Sequence, residues 1–280
     1  MVFLAILVKT IVVSDIHLGS EKCDKAAFNA FLSSLHEDQE VTDLVLLGDL
    51  MDMWRRDASG VFFENMDTVE IIKGLQKKLD VHCVVGNHDY HLRKLKNRAP
   101  HYHYPFEFKQ TLELKDGDHS YRFMHGHEFE YGNELKYMEP IMEILCHVMS
   151  DSEGVEEDEL WVYLARKLGD LQYSILGHPA EKEGVVTKIK SLKDGPELRI
   201  KEKLEDIERR ALDEIRDKPG QLLIFGHTHH PFINSEENLA NVGSWVIDAS
   251  PHNTYLELKA GRPRLFVFRG NEITDRQLIS

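Results

Sequence analysis

Residues 10–17 read TIVVSDIH, a short and mostly apolar run that ends directly in a turn with Ser, Asp and His. The same plan recurs at 44–52 (LVLLGDLMD), at 81–89 (VHCVVGNHD) and at 222–229 (LLIFGHTH). Short runs rich in Val, Ile and Leu that stop at polar or glycine-containing turns are typical of buried strands covered on both faces. We therefore expect four buried strands, each followed by a turn with unusual side chains.

Helical patterns lie between the early runs. Apolar residues recur at helical spacing in two segments: Phe28, Phe31, Leu32 and Leu35, and then Val69, Ile72, Leu75 and Leu79. The alternation of strand, helix and strand predicts an α/β fold in which helices are layered on a sheet. Further runs at 121–124, 254–258 and 265–268 predict additional strands, which we assign to a second sheet.

The middle of the chain has mostly helical patterns. Three apolar stripes run through it, at 135–149, 160–175 and 200–215. We interpret residues 130–216 as a helical insertion or cap within a single domain that spans 1–280. Methionines on the first stripe are compatible with a lipid pocket and with an ordinary helix core, so contact with a membrane through the cap stays open.

The composition of the chain narrows the classes of function. Acidic residues outnumber basic ones by 48 to 34, which gives a net charge of −14 and a pI near 5.6 and disfavours a general nucleic-acid binder. The three cysteines show no CxxC spacing, which is typical of a reducing compartment. The first stretch, MVFLAILVKTIVV, is too short to cross a bilayer, and no later stretch looks transmembrane. We expect a cytoplasmic protein.

The turns after the strands carry side chains that metal ions prefer. In open α/β folds ligands bind outside the carboxyl ends of the strands, so these distant turns can converge on one site. Carboxylate oxygens, imidazole nitrogens and amide oxygens suit divalent ions. The side chains of residues two apart in an extended stretch point the same way, so Asp15 and His17 can bind one ion together. Asp49 can bridge two ions through its two carboxylate oxygens.

The motifs DxH, GDxxD, GNHD, a lone His and GHxH follow one another in this order. The set resembles the calcineurin-like metallophosphoesterase family over roughly residues 10–130 and 220–255. The resemblance implies an α/β fold of two facing mixed β-sheets flanked by helices. It also implies two divalent metal ions, with Mn²⁺ expected first, although Fe, Zn and Co suit the same ligands. The ligands would be Asp15, His17, Asp49 and His229 for one ion, and Asp49, Asn87, His125 and His227 for the other.

The same resemblance implies a reaction and assigns roles in it. Two ions held close together lower the pKa of bound water and hold the phosphoryl oxygens, so a metal-activated hydroxide would hydrolyse a phosphate ester. His88 is the natural proton donor to the leaving group, and Asp52, the last Asp of GDxxD, would orient it. Four further side chains are candidates for substrate binding, with an ordinary surface position as the alternative: Arg55, Arg56, Arg93 and His127.

The stretch GDLMDMW at 48–54 is similar to the UDP-2,3-diacylglucosamine hydrolases. Those enzymes cleave a diphosphate bond in a lipid A precursor and carry a helical cap over the site. This chain departs from them at His88, where they carry Arg, and in the long gap between His125 and His227. The likeness predicts a substrate class: a phosphodiester, diphosphate or phosphomonoester of a small nucleotide-linked or phospholipid-like molecule.

Three other functions share parts of this pattern. A DNA or RNA nuclease of the repair-exonuclease type has the same motif order, but the acidic composition disfavours the phosphate contacts that such binding needs. Protein phosphatases with these metal motifs carry GDYVDRG where this chain reads GDLMDMW. A non-catalytic scaffold would typically have lost a ligand, and none is missing. The motifs say nothing about the oligomeric state.

Overall fold

Two mixed β-sheets and the helices around them form the fold in a computed structural model of the chain. The structure describes residues 9–54, 57–94, 106–131, 196–270 and 276–279. The predicted stripes at 135–149 and 160–175 lie outside the described residues, as do the substrate-binding candidates Arg55 and Arg56.

The strands of the described residues are numbered in chain order. They are β1 (Lys9–Val13), β2 (Val41–Leu47), β3 (Asp80–Val84), β4 (Phe108–Lys109), β5 (Thr111–Asp116), β6 (His119–Met124), β7 (Gln221–Phe225), β8 (Phe232–Asn234), β9 (Leu239–Asn241), β10 (Thr254–Lys259), β11 (Arg262–Phe268) and β12 (Arg276–Leu278). The first sheet has the order β12-β11-β10-β1-β2-β3-β4, and the second has the order β5-β6-β7-β9-β8.

Parallel strands carry the motif turns in both sheets. In the first sheet β1, β2 and β3 are parallel neighbours, with β10 antiparallel to β1 on the other side. In the second sheet β6 is parallel to β7, and β7 is parallel to β9. Because the carboxyl ends of parallel neighbours lie at the same edge of a sheet, the turns after these strands are brought together.

The described helices are also numbered in chain order. They are α1 (Lys25–Ser34), α2 (Ala58–Glu64), α3 (Met66–Leu75), a 3₁₀ helix (Tyr90–Lys94), α4 (His127–Tyr131) and α5 (Pro196–Ile215). Helix α1 begins after Asp24, whose side chain accepts a hydrogen bond from the Ala27 N–H, an N-cap that satisfies one of the free amides of the first turn. It buries Phe28, Phe31 and Leu32.

The central strands are covered on both faces, as their apolar runs predict. Ile11 and Val13 of β1 pack in a core with α1 and α3, whereas Val12 between them packs in a second core with residues of the other sheet. Leu46 and Leu47 of β2 divide in the same way. The alternation follows from the two-residue period of a strand. The second core therefore joins the two sheets face to face.

The predicted strands are confirmed, but their division between the sheets is partly wrong. The run at 121–124 lies in the second sheet as expected, within β6. The runs at 254–258 and 265–268 belong to β10 and β11 of the first sheet instead, because β10 pairs with β1 and Leu256 lies opposite Val12. Sheet membership is decided by pairing between distant segments, which a local hydrophobic pattern does not encode.

The last predicted helical stripe is confirmed as helix α5. Its side chains Ile207, Ala211 and Ile215 are buried against Leu223 and Phe225 of β7. This end of the helix therefore forms a layer on the face of the second sheet that points away from the first.

Candidate metal centre

Five turns meet where the two sheets face each other. The turns after β1, β2 and β3 come from the first sheet, and those after β6 and β7 come from the second. Backbone hydrogen bonds join neighbouring turns: the Asp15 N–H donates to Gly48 O at 3.2 Å, and the Gly226 N–H donates to His125 O at 2.8 Å. The side chains of all five predicted motifs are thereby gathered at one place.

Two buried carboxylates, Asp15 and Asp49, lie among imidazole nitrogens. His229 Nε2 is 3.2 Å from Asp15 Oδ1, and His125 Nε2 is 3.3 Å from Asp49 Oδ2. His17 Nε2 is 3.8 Å from Asp15 Oδ1 and 3.6 Å from Asp49 Oδ2. The structure therefore brings these predicted ligands within the reach of common ions.

Several of these buried atoms have no hydrogen-bond partner among the described residues. They are Asp15 Oδ1, His17 Nε2 and His125 Nε2. Burying a polar atom without a partner costs free energy, so folded proteins satisfy nearly all such atoms with protein groups, water or ions. Carboxylate oxygens and imidazole nitrogens directed at a common space are the donor set of a divalent metal site. The residues present fit such an ion.

The buried carboxylates of the cluster need positive charge close to them. Burial alone would raise the pKa of Asp15, but the charges of His125 and His229 hold it well below its usual value. Burial alone would lower the pKa of His125, but Asp49 and Asp15 raise it to about 10. The buried carboxylates are thus stable as anions only with positive charge beside them, which a protonated imidazole or a divalent ion can supply.

Asp49 occupies the middle of the cluster. Its Oδ2 lies within 4.0 Å of a nitrogen of three histidines, which are His17, His88 and His125. Its Oδ1 accepts a hydrogen bond from the His88 backbone N–H at 2.9 Å. The oxygen that faces both predicted ligand sets is therefore Oδ2.

Most of the predicted ligand residues have an unusual backbone conformation. Five of them have positive φ: Asp15 (54°), His17 (54°), Asp49 (51°), His227 (65°) and His229 (56°). The premise that Asp15 and His17 lie in an extended stretch is therefore wrong, although both side chains still reach the same place, as expected. Left-handed backbone is costly for residues with a Cβ, and it persists where the surrounding structure enforces it, often at functional sites.

Glycines allow the turns to approach one another. A Cβ atom at Gly86 would overlap Asp49 Oδ1, and one at Gly226 would overlap Ser14 Oγ and Asp15 Oδ2. The glycine of GNHD and the glycine of GHxH are thus required by the closeness of the neighbouring turn.

His88 is held on three sides. Its Nδ1 lies 2.9 Å from Asp52 Oδ1, the partner that the family resemblance implies. The indole of Trp54 stacks on the imidazole with ring centroids 4.4 Å apart and planes 21° apart, and the His17 ring meets it edge-on at 4.6 Å. His88 Nε2 consequently faces the centre, 4.0 Å from Asp49 Oδ2.

Asn87 and His227 complete the predicted ligand set at the sides of this cluster. Asn87 is buried in the turn after β3, next to His88. The His227 N–H donates to Asp15 Oδ2 at 2.9 Å, and the His227 ring centroid is 5.3 Å from that of His125. His227 therefore adjoins His125, with which it was predicted to act, and Asn87 is the neighbour of His88 in the chain.

Asp89, the last residue of GNHD, connects two of the turns at the site through hydrogen bonds. Its Oδ1 accepts a hydrogen bond from the Gly86 N–H at 2.7 Å, and its Oδ2 accepts one from the Leu50 N–H at 2.8 Å. Burial and the charge of Asp49 raise the pKa of Asp89 to about 7. Asp89 thus joins the turn after β2 to the turn after β3.

Two of the four substrate-binding candidates lie among the described residues. The Arg93 guanidinium lies over the Tyr90 ring at 4.6 Å and donates to Gln110 Oε1 at 2.8 Å. His127 is fully buried, with its ring centroid 5.5 Å from that of His125 and 5.6 Å from that of Tyr90. Burial lowers the pKa of His127 to about 4. The alternative of an exposed surface position is therefore wrong for His127.

Two further residues at the site were not singled out as site residues from the sequence. Trp54 belongs to the quoted GDLMDMW stretch, and its place two residues after Asp52 was the only available signal. Glu130 contacts His227, which lies 97 positions away in the chain. A contact between residues so far apart in the chain cannot be predicted from a local sequence motif.

The two-sheet fold and this centre define a metal-dependent hydrolase of phosphate esters. The family model described as Calcineurin-like phosphoesterase matches residues 8–231. The chain belongs to the calcineurin-like phosphoesterase family, and its cofactors are divalent metal ions.

The chain is also similar to two curated enzymes named UDP-2,3-diacylglucosamine hydrolase. The one from Shewanella baltica (strain OS223) is 27% identical over 247 residues, which are 86% of this chain and 91% of the relative. The one from Shewanella piezotolerans is 26% identical over 252 residues, which are 86% of this chain and 92% of the relative. The likeness therefore extends over nearly the whole length of both proteins.

Among solved structures, the chain is similar to a dimetal phosphatase from Danio rerio (12% identity, 97% of this chain, 98% of that chain, TM-score 0.46). It is also similar to Yfce, a phosphoesterase from E. coli (17% identity, 97% of each chain, TM-score 0.44). None of the helices in the described part of the chain combines the length and the apolar character needed to cross a bilayer.

Proposed function

We propose that this phosphoesterase uses two divalent ions, with Mn²⁺ as the expected metal. Its substrate would be a phosphodiester, diphosphate or phosphomonoester of a small nucleotide-linked or phospholipid-like molecule. The observation that carries the proposal is the position of Asp49, whose Oδ2 lies 3.6 Å from His17 Nε2 and 3.3 Å from His125 Nε2. These histidines belong to different predicted ligand sets, so one oxygen can serve both ions.

The proposed ligands follow the motifs. One ion would be held by Asp15, His17, Asp49 and His229, and the other by Asp49, Asn87, His125 and His227. The grouping of Asp15 with His17 and His229, and the 3.3 Å between Asp49 Oδ2 and His125 Nε2, support this division; Asp15 Oδ1 also lies 3.8 Å from His125 Nε2 of the other set. When bound, the two ions supply an activated water molecule and neutralise charge on the phosphoryl oxygens.

His88 would donate the proton that the leaving group needs. Its Nδ1 faces the buried carboxylate of Asp52, so the ring can hold a second proton on Nε2, which is directed toward Asp49. Burial alone would raise the pKa of Asp52, but His88 and His17 hold it well below its usual value. Asp52 therefore stays ionised and holds the ring of His88 with Nε2 directed at the centre.

The substrate class is supported by the named relatives. Both match nearly their full length to this chain, and both are named for a nucleotide-linked acyl sugar. Arg55, Arg56, Arg93 and His127 are proposed to contact the substrate. His127 supports this because its buried ring lies beside that of His125. The helical insertion predicted at 130–216, apart from the end of α5 that packs on the outer face of the second sheet, is proposed to cover the site and to allow contact with a membrane. We place the protein in the cytoplasm, which suits the free thiols of Cys23 and Cys83.

The test compares leaving groups in a His88→Ala variant. The chain is stripped of metal, reloaded with Mn²⁺, and assayed on a p-nitrophenyl and a phenyl diester of the same phosphate. We expect hydrolysis of both by the wild type. General acid catalysis is worth about 10²–10⁴-fold, so the variant should lose far more activity on the phenyl ester, whose leaving group needs the proton.

His36→Ala is the matched control, because His36 is an exposed histidine that follows α1. It should hydrolyse both esters at the wild-type rate. If His88→Ala lost the same fraction of its activity on both esters, His88 would not be the general acid. A wild-type chain that binds two ions and cleaves neither ester, nor any nucleotide–lipid diphosphate, would contradict the proposed function.

A further inference from the structure

A carboxylate outside the family motifs contacts one of the proposed metal ligands. Glu130 Oε2 lies 2.7 Å from His227 Nε2. Both side chains are largely shielded from solvent, with 23% of the Glu130 side chain and 14% of the His227 side chain exposed. Glu130 lies on α4, the short helix that begins two residues after the proposed ligand His125. The contact therefore connects the turn after β6 to the turn after β7.

The contact decides which ring nitrogen of His227 is free to bind an ion. A neutral imidazole carries one proton, and a carboxylate beside Nε2 holds that proton on Nε2. The lone pair then remains on Nδ1. A histidine that donates its other N–H to a carboxylate is fixed in orientation and is a stronger ligand. Glu130 has the position and the chemistry to do this for His227.

Glu130 is itself anchored through its backbone. The Arg210 guanidinium of α5 donates through Nη1 to Phe129 O at 2.9 Å and to Glu130 O at 2.7 Å. These carbonyls lie in the last turn of α4, where a cation is favourable. Neighbouring residues of α5, Ile207 and Ala211, are buried against the second sheet. The helix thus fixes the position from which Glu130 reaches His227.

We propose that Glu130 is a positioning residue for His227, and that Arg210 holds Glu130 in place. Glu130 acts through the imidazole and not as a ligand of its own. The inference rests on the proposed function, since it needs His227 to bind an ion. It adds to the two-ion site a residue that none of the sequence motifs contains.

The test measures binding of Mn²⁺ and Co²⁺ by competition with a chromophoric chelator, together with the visible spectrum of the Co²⁺ protein. The variants are Glu130→Ala, Glu130→Gln and Arg210→Ala. We expect Glu130→Ala to weaken one of the two ions about 10–100-fold and to change the Co²⁺ spectrum. Glu130→Gln retains an acceptor oxygen and should lose less. Arg210→Ala should weaken the same ion by a smaller factor.

Two controls separate positioning from a general effect. Arg209→Ala removes the neighbouring exposed arginine, which pairs with Asp206 on the surface, and should bind both ions as the wild type does. In a His227→Ala background, Glu130→Ala should cause no further loss, because Glu130 acts through that ring. Thermal unfolding of the metal-free variants checks that each one folds.

The outcomes distinguish this inference from the proposed function. Wild-type affinity for both ions in folded Glu130→Ala would overturn the inference and leave the proposed function intact. A further loss from Glu130→Ala in the His227→Ala background would show Glu130 to be an ion ligand, which also overturns it. A wild-type chain that binds no second ion would overturn both.

Discussion

At the scale of single residues, the orientation of His88 depends on three different contacts. Asp52 Oδ1 lies 2.9 Å from Nδ1, Trp54 covers one face of the ring, and His17 meets it edge-on. The hydrogen bond fixes which nitrogen faces the centre, and the stacked indole limits how far the ring can tilt. The hydrogen bond to Asp52 and the stack on Trp54 can be removed separately by mutation.

Replacing Trp54 by Leu should lower the turnover rate without removing metal. The aromatic contact is worth about 0.5–1.5 kcal/mol, so kcat should fall roughly 2- to 10-fold. Steady-state kinetics on an ester with a poor leaving group measures the effect. Trp54→Phe keeps a stacked ring and is the matched control, with a smaller loss expected. An unchanged rate in Trp54→Leu would show that the stack does not position His88.

Replacing Gly86 by Ala should disrupt the centre, because the added Cβ would overlap Asp49 Oδ1. We expect loss of at least one bound ion, measured by metal analysis after gel filtration. Gly74→Ala is the control: Gly74 lies in α3, and an added Cβ would make only ordinary contact with His36. It should keep both ions and stabilise the helix by up to about 1 kcal/mol. Full metal binding by Gly86→Ala would contradict the close packing of the two turns.

Much of the candidate site could be predicted from the sequence at this scale. The ligand types follow from their motifs, and the pairing of Asp52 with His88 follows from the family resemblance. The left-handed backbone of Asp15 and His17 could not be predicted, because a residue with a Cβ adopts it only under constraint from the rest of the fold. The Glu130 contact could not be predicted either, since it depends on where α4 comes to lie beside β7.

At the scale of elements, an ion-pair network around the buried Glu257 connects four strands of the first sheet. Glu257 of β10 is buried, and its Oε2 lies 3.4 Å from Lys9 Nζ of β1 and 2.9 Å from Arg276 Nη1 of β12. Arg264 of β11 also pairs with it. Burial alone would raise the pKa of Glu257, but Arg276, Lys9 and Arg264 hold it below its usual value.

Replacing Glu257 by Gln should destabilise the fold by about 1.5–3 kcal/mol, the usual worth of a hydrogen bond to a charged group. The pKa is lower in the folded chain than in the unfolded one, so the stabilisation is complete above 4.5, the ordinary pKa of Glu. It is lost as the pH falls through the lower native pKa. Chemical unfolding of both metal-free chains from pH 7 downward should show the difference shrinking below pH 4.5. A difference that stays constant over this range would contradict the network.

The elements themselves were largely predictable, because apolar runs and helical spacing are local signals. The assignment of β10 and β11 to the wrong sheet shows that local signals predict a strand but not the sheet to which it belongs. The apolar runs of β10 and β11 do not differ from those of strands in the second sheet. Only the pairing of β10 with β1 places them in the first sheet.

At the scale of the whole molecule, the candidate ligands come from residues as far apart as Asp15 and His229. They meet only when both sheets are formed and packed, so a metal ion binds the folded chain more tightly than the unfolded one. Binding of this kind stabilises the folded state by about 2.7 kcal/mol when free metal is 100 times the dissociation constant.

Adding Mn²⁺ to metal-free protein should therefore raise the thermal unfolding midpoint by several degrees. Differential scanning calorimetry at several Mn²⁺ concentrations gives the dependence. Asp15→Asn removes one carboxylate charge from the cluster and should show a smaller rise. An unfolding midpoint that is the same with Mn²⁺ and with chelator would show that the ligands do not form a site in the folded chain.

The number of divalent ions bound per chain tests the two-ion centre most directly. Equilibrium dialysis followed by metal analysis should give two Mn²⁺ per wild-type chain. Asp49→Asn should weaken both ions, because Asp49 Oδ2 faces both ligand sets, whereas Asp80→Asn, at an exposed position of β3, should weaken neither. One ion per wild-type chain, or two ions held by Asp49→Asn with wild-type affinity, would contradict a centre shared through Asp49.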